Sequence, residues 1–419
     1  MASEWKHVKF SELCDIWRGG SPRPIHDFIR ESGIPWVKIA DATSSRTRFI
    51  EKTKEFIKPE GMSKSREVFP GDLILSNSAT PGLPMFMSIR ACIHDGWLLL
   101  RNFKNIDKLF CYYLLIHERE NIVRFGSGSV FTNLKTDILK NHEVNIPPLP
   151  EQRAIAHILG SLDDKIELNH RMNQTLEAMA RAIFKHWFID FEFPNDNGEP
   201  YKSSGGEMID SPLGPIPKGW STSKFSDAIS VNPSRNLKKG VRAKKVRMTD
   251  VEPWKSYVSS YTEEIYKSGP KFQNGDVLLA RITPSLENGK TALVSFLEDG
   301  EVAYGSTEFI VFAPRIIKSS AYIYCLVRSD YFRDYAIGSM NGSSGRQRVP
   351  NDCLDALEIA LPTRNLINEF EEIAKTLFSK IDCRGKENQS LSELRDSLLP
   401  KLMSGEIRVP VSEKEDDQL

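Results

Sequence analysis

The sequence predicts an α+β fold: two mixed α/β domains of similar build, separated by two long antiparallel coiled-coil helices and related by an internal pseudo-twofold repeat. Three observations carry this. "NIPPLPEQRAIAHILGSLDDKI" (Asn145 to Ile166) returns in worn form as "EIALPTRNLINEFEEIAKTLFSKI" (Glu358 to Ile381). The ends of the two halves align at one constant shift, whereas their middles drift. After each repeated segment, apolar residues step by three and four over nearly forty positions, the period of an amphipathic helix.

The alignment fixes the organisation. Trp5, Lys9, Phe10 and Ser11 meet Trp220, Lys224, Phe225 and Ser226 at a shift of 215, and so do Asp137, Glu143, Pro147, Lys165 and Ile166 with Asp352, Glu358, Pro362, Lys380 and Ile381. Between these ends "VKIAD" matches "VRMTD" at 209, and Gly71-Asp72 matches Gly275-Asp276 at 204. The domains are therefore set at 1–148 and 220–362, with spacer helices at 149–192 and 363–405, a Pro, Gly, Ser and Asp-rich linker at 193–219 and a polar tail at 406–419. Within the domains, "PGDLILS", "NGDVLLA", "GWLLLRN" and "TEFIVFAP" have the turn residues and apolar runs of strands. "NIDKLFCYYLLIHERENIVRFG" and "SSAYIYCLVRSDYFRDYAIGS" have helical periodicity.

The first long helix starts after the breaker Pro150, with Glu151 favourable in its first turn. Its seam runs Leu159, Leu162, Ile166, Asn169, Asn173, Leu176, Ala180, Ile183 and Trp187. The second offers Ala374, Leu377, Ile381, Arg384, Asn388, Leu391, Arg395, Leu398 and Leu402. Both have a polar middle, and asparagine at a seam position selects one register at some loss of stability. Two helices of about 38 residues would each span about 57 Å. A twofold relation between the halves makes the pair antiparallel.

Composition excludes several classes. With 56 basic and 56 acidic residues in 419, whole-chain charge announces neither a nucleic-acid binder nor a membrane-surface protein, so any charged site is local. The six cysteines show no metal-ligand spacing and read as reduced thiols. No apolar signal core or membrane-length apolar run occurs, which predicts a cytoplasmic chain. There is no GxxxxGK[ST] phosphate loop and no HExxH. All eight histidines lie between His7 and His186, so a histidine site is not duplicated across the halves. "VNPSRN" lacks the second proline and the aromatic of an amino-methyltransferase motif. The residues predict no catalytic site and no metal site.

Local charge says more. From Asp227 to Asp250 no acidic residue intervenes, yet Arg235, Lys238, Lys239, Arg242, Lys244, Lys245 and Arg247 occur there, which points to phosphate contact or a solvated face. The first half holds a thinner set, Lys38, Arg46 and Arg48. Two Gly/Ser loops occupy equivalent places ahead of the helices: "RFGSGSVFTNLKTD", with Ser127, Ser129 and Asn133, and "GSMNGSSGRQRVPND", with Arg346, Gln347 and Arg348. Small residues permit close approach to phosphate, and Asn, Gln and Arg reach base edges. Arg281 and Lys290, at the ends of "RITPSLENGK", complete the candidate DNA-binding set.

Two such variable regions, each followed by "IPPLPEQRAIAHILGSLDDKI" or "IALPTRNLINEFEEIAKTLFSKI" and a long helix, resemble the specificity subunit of type I restriction-modification enzymes. The second copy departs from the first in having Thr363-Arg364-Asn365 where the first has Pro148-Leu149-Pro150. The resemblance implies two target recognition domains, each reading one part of a split double-stranded DNA sequence, and antiparallel helices that bind two modification (methyltransferase) subunits. It implies a non-catalytic chain without cofactors: S-adenosylmethionine, Mg and ATP belong to the modification subunits and to a translocating restriction subunit. Two alternatives stand beside it, a metal-dependent nuclease built on Asp276, Glu287 and Lys290, and a DNA-binding adaptor of another defence system.

Overall fold

The computed structural model describes residues 5–124, 133–343 and 345–410. The chain forms two compact units, one made of residues up to Glu167 together with those from Gln389 onward, the other of Leu168–Asn388. Each long helix contributes to both.

In the first unit the strand Lys6–Lys9 pairs antiparallel with Glu143–Ile146, Lys6 opposite Ile146 and Lys9 opposite Glu143. The second repeats this clasp with Ser221–Lys224 on Glu358–Leu361, Ser221 opposite Leu361 and Lys224 opposite Glu358. Every pair is displaced by the shift read from the ends of the halves, Lys9 and Glu143 falling on Lys224 and Glu358. A short helix follows each first strand, Phe10–Leu13 and Phe225–Ala228, and seats a fully buried phenylalanine.

Each domain then builds two small sheets, of five strands each in the first unit and four each in the second. The central strands Leu73–Ser76 and Val277–Ala280 are buried on both faces. Alternate side chains feed separate cores, Leu73 and Leu75 one and Ile74 the other, as the two-residue period of a strand requires. Both strands are entered by the same turn: Gly71 and Gly275 have φ of +86° and +85°, a conformation glycine adopts without strain. The aspartates that follow accept the main-chain N–H groups of Phe69 (2.6 Å) and Gln273 (2.8 Å). In the other sheet, Ile34–Val37 runs parallel to Ala91–Ile93, as Arg242–Val246 does to Ala303–Gly305.

The long helices are Leu149–Phe184, continued by a wider turn over Lys185–Ile189, and Arg364–Met403. Within each unit they run antiparallel. In the first, Leu159 shares a core with Leu402 and Met403, while Asp163 accepts from Arg395 at 2.6 Å. In the second, the Asn169 amide donates to Asn388 Oδ1 at 2.9 Å and Asn173 to the Ile381 carbonyl at 3.2 Å, and Phe184 and Phe188 pack on Phe370. Of the predicted seam, Leu159, Ile166, Asn173, Ile381 and Asn388 are buried, and Leu162, Leu176, Ile183, Leu377, Leu391 and Leu398 are half-buried. The buried face is wider than that seam because the helices also receive the domains: Asp163, Glu167, Glu177 and Phe378 are buried on it as well.

The segment read as a linker carries a small hairpin, Met208–Ile209 against Ile216–Pro217, and its Phe193 stacks on Trp220 at 5.6 Å. Of the segment read as a polar tail, residues 406–410 turn back on the first unit, where Arg408 holds the buried Glu151 carboxylate at 2.6 and 2.8 Å.

Candidate nucleic-acid interface

The fold brings together two stretches of the second domain that lie far apart in the sequence. The Thr283 N–H donates to the Gln347 carbonyl at 3.0 Å, the Val349 N–H to the Arg281 carbonyl at 2.9 Å, and Asn341 and Arg348 exchange main-chain bonds at 3.0 and 2.9 Å. The Gly/Ser loop thus becomes a narrow hairpin lying on the turn after the strand Val277–Ala280. Arg281, Arg346, Gln347 and Arg348 gather at this edge. Arg346 is exposed, Gln347 is half-buried, Arg348 forms a two-pronged pair with Glu308 at 2.8–3.0 Å, and the Arg281 guanidinium donates to Asn351 Oδ1 at 3.1 Å.

The basic run is placed differently from what its sequence suggests. Its core, Arg242–Val246, is a strand whose antiparallel neighbour Thr262–Ile265 supplies the missing anions: Arg242 pairs with Glu263 and Lys245 with Glu264 at 3.1 and 2.7 Å. Lys244 reaches Glu301 at 2.9 Å, Arg247 reaches Asp250 at 3.1 Å, and Arg235 holds the buried Asp276 at 2.7 Å. Five of the seven cations therefore have carboxylate partners, and the reading that all seven need a polyanion or open water is corrected accordingly. Lys238 and Lys239, in the loop ahead of the strand, are exposed.

In the first domain the set divides again. Lys38 pairs with Glu55 at 2.5 Å and lies over the Trp36 ring, Arg46 is exposed, and Asn133 is exposed where the chain re-enters the described residues. Ser127 and Ser129 lie outside the described residues. Arg48 is not at a surface. It is buried, its guanidinium paired with Asp164 and 3.6 Å from Glu167.

The groups weighed for a nuclease do not converge. Asp276 is held by Arg235, Glu287 accepts from Thr283 Oγ1 at 2.8 Å, and Lys290 donates to the Met248 carbonyl at 2.8 Å, burial lowering its pKa. Among the described residues no three His, Cys, Asp or Glu side chains form a group able to hold a metal ion. Two exposed aromatics escaped the sequence reading. Tyr261 lies under Lys244 at 5.1 Å and stacks on Phe296, and Phe69 lies between Arg90 and Arg101 at 5.9 and 5.4 Å. Aromatics beside cations in turn segments were the available signal.

The comparisons with known proteins all point to one family. A profile described as "Type I restriction modification DNA specificity domain" matches residues 2–178. The MjaIX type I restriction enzyme specificity subunit of Methanocaldococcus jannaschii is 24% identical, the match covering 97% of this chain and 94% of that one. The chain resembles the specificity subunits of type I restriction-modification enzymes over nearly its whole length. The HindI specificity subunit of Haemophilus influenzae is 22% identical to it, over 97% of this chain and all of that one. The crystal structure of the type I S subunit from M. genitalium shares its fold, with a TM-score of 0.56 at 15% identity and 95% and 96% of the two chains covered. As in the architecture expected of a specificity subunit, two sheet domains accompany two long helices. No described helix is long and apolar enough to cross a membrane.

Proposed function

We propose that this chain is a specificity subunit that reads a DNA target in two parts, one with each domain, and carries modification subunits on its paired helices without catalysing a reaction itself. The observation that carries this is the repeat: identical clasp registers enclose domains whose exposed loops differ in residues and charge. Similar frames with different loops suit two half-sites of different sequence. Contacts fall into two kinds. Lys238, Lys239 and Arg46 meet phosphates, whereas Arg346, Gln347 and Asn133 reach base edges, with Arg281, Arg348 and the residues around Ser127 and Ser129 alongside. Lys244, Lys245, Arg235 and Lys290 shape the surface, and Arg48 holds the domain on its helices.

Docking is supported by exposed apolar side chains on the helices. Leu168, Met172 and Met179 form a row on the first. Leu394 on the second is the repeat equivalent of Met179, and the two are about half exposed, at 46% and 48%. Equivalent positions on two helices fit two equivalent modification subunits. S-adenosylmethionine, and Mg and ATP where a restriction subunit joins, would then bind to those partners. The test is methyl transfer to DNA by the purified chain, by the modification subunit and by the two combined, with the sites mapped by sequencing. Activity on a split sequence only in the combination is expected, and methylation or cleavage by the chain alone would refute the reading.

A further inference from the structure

Among the ties that fasten each domain to the long helices, two kinds obey the repeat. The first is a buried tyrosine on a domain helix. Tyr113 donates to Asp163 at 2.6 Å, while Tyr324 donates to Glu177 at 2.8 Å and sets its ring 5.2 Å from Phe378, the repeat equivalent of Asp163. The second is a loop. In the first domain Arg48 enters between helix carboxylates: its N–H donates to Glu167 at 2.9 Å, its guanidinium pairs with Asp164, and it lies 3.3 Å from the Tyr113 hydroxyl. Arg395 of the second long helix holds Asp163 at 2.6 Å, so one ionic chain runs from the loop through one helix to the other.

At the shift of 209 that aligns "VKIAD" with "VRMTD", the residue equivalent to Arg48 is Tyr257. It too lies against the helices, beside Asn173, its ring pressed on Gly385 so closely that a Cβ there would come within 2.8 Å of the ring carbons. Beside it Ser295 donates to Asp382 at 2.7 Å, and Asp382 is the repeat equivalent of Glu167. The two loops land on the same turn of the repeated helix with different chemistry, ionic in one half and aromatic on glycine in the other.

Ties along the domain helix alone let a domain rock about that helix, and the loop tie removes this freedom. Moving a half-site by one base pair shifts it by about 3.4 Å and turns it by about 35° around the DNA axis. Hydrogen bonds do not survive a displacement of that size. We infer that Arg48 and Tyr257 are positioning residues that set the spacing and helical phase at which the subunit accepts the two halves of its target. This rests on the bipartite reading proposed above.

The experiment uses the full chain complexed with modification subunits, and duplexes carrying the mapped half-sites at native spacing and at one base pair shorter and longer. Arg48→Ala should raise methylation at altered spacing relative to native spacing by about tenfold, and Arg48→Lys should restore part of the discrimination. Gly385→Ala should do the same through the second domain by pushing the Tyr257 ring off the helix, and the unfolding midpoint of the complex, measured alongside, separates this from a weaker fold. A folded Gly385→Ala complex whose spacing ratio equals that of wild type, whatever its overall rate, would overturn the inference, also where Arg48→Ala fails to fold. A wild-type complex that methylates native and scrambled half-sites alike would refute the bipartite reading and the inference with it.

Discussion

Replacing Lys238 and Lys239 with alanine should flatten the salt dependence of DNA binding, and replacing Lys244 and Lys245 should not. Each cation that displaces a counterion from B-DNA contributes about 0.9 to the slope of log affinity against log salt, so two lost contacts lower it by about 1.8. Between about 50 and about 200 mM salt, that amounts to about twelvefold less loss of affinity. Lys244 and Lys245 lie 2.9 and 2.7 Å from Glu301 and Glu264, so each brings an anion to the DNA surface with its own charge. Their removal should shift the binding curves together while leaving the slope almost unchanged. Fluorescence anisotropy of a labelled target duplex with the assembled complex, at several salt concentrations, gives both slopes. Equal slope changes for the two pairs would show that the cross-strand ion pairs open on DNA, and that compensation in the unbound protein is no guide to phosphate contact.

Three further outcomes follow from the packing. Tyr113→Phe deprives the buried Asp163 of a 2.6 Å hydrogen bond and should cost about 1–2 kcal/mol, read as a lower unfolding midpoint; an unchanged midpoint would remove Tyr113 from the fastening. A fragment ending at Phe193 leaves Leu159, Ile166, Phe184 and Trp187 without the second long helix and should self-associate in sedimentation experiments, and a folded monomer would contradict this. The His142 hydrogen bond at 3.0 Å holds the Glu118 carboxyl below its ordinary pKa of 4.5. That contribution to stability is complete above the ordinary value and is lost as pH falls through the depressed one, so acid unfolding should be less steep in His142→Ala. Matching acid profiles would remove the pair from the stability of the domain.

Much of the frame was legible because it is written in periodicities. Pro150, the three-and-four spacing after it and the fixed shift placed both helices within a few residues of Leu149–Phe184 and Arg364–Met403. The polar seam was legible too, since Asn169 and Asn388 meet. Charge was not legible. Arg48 reads as a surface cation beside Arg46, but its carboxylates lie far along the chain, at Asp164 and Glu167. Lys244 and Lys245 read as uncompensated because their partners come from a later turn and a neighbouring strand. Sequence shows which charges exist, whereas pairing across a sheet decides which of them remain available.

The clasp that opens and closes each domain bears on how such a chain changes. The first and last strands lie side by side, so everything between Lys9 and Glu143, or between Lys224 and Glu358, leaves and rejoins the frame at one point. The drift from 215 to 209 to 204 and back to 215 shows insertions and deletions accumulating inside that enclosure without disturbing its ends. A segment inherited whole from another chain, cut at those two strands, would meet the same register and the same helix start. The domain is a socket with exchangeable contents, and a new binding preference can arrive in a single genetic crossover without renegotiating the rest of the molecule.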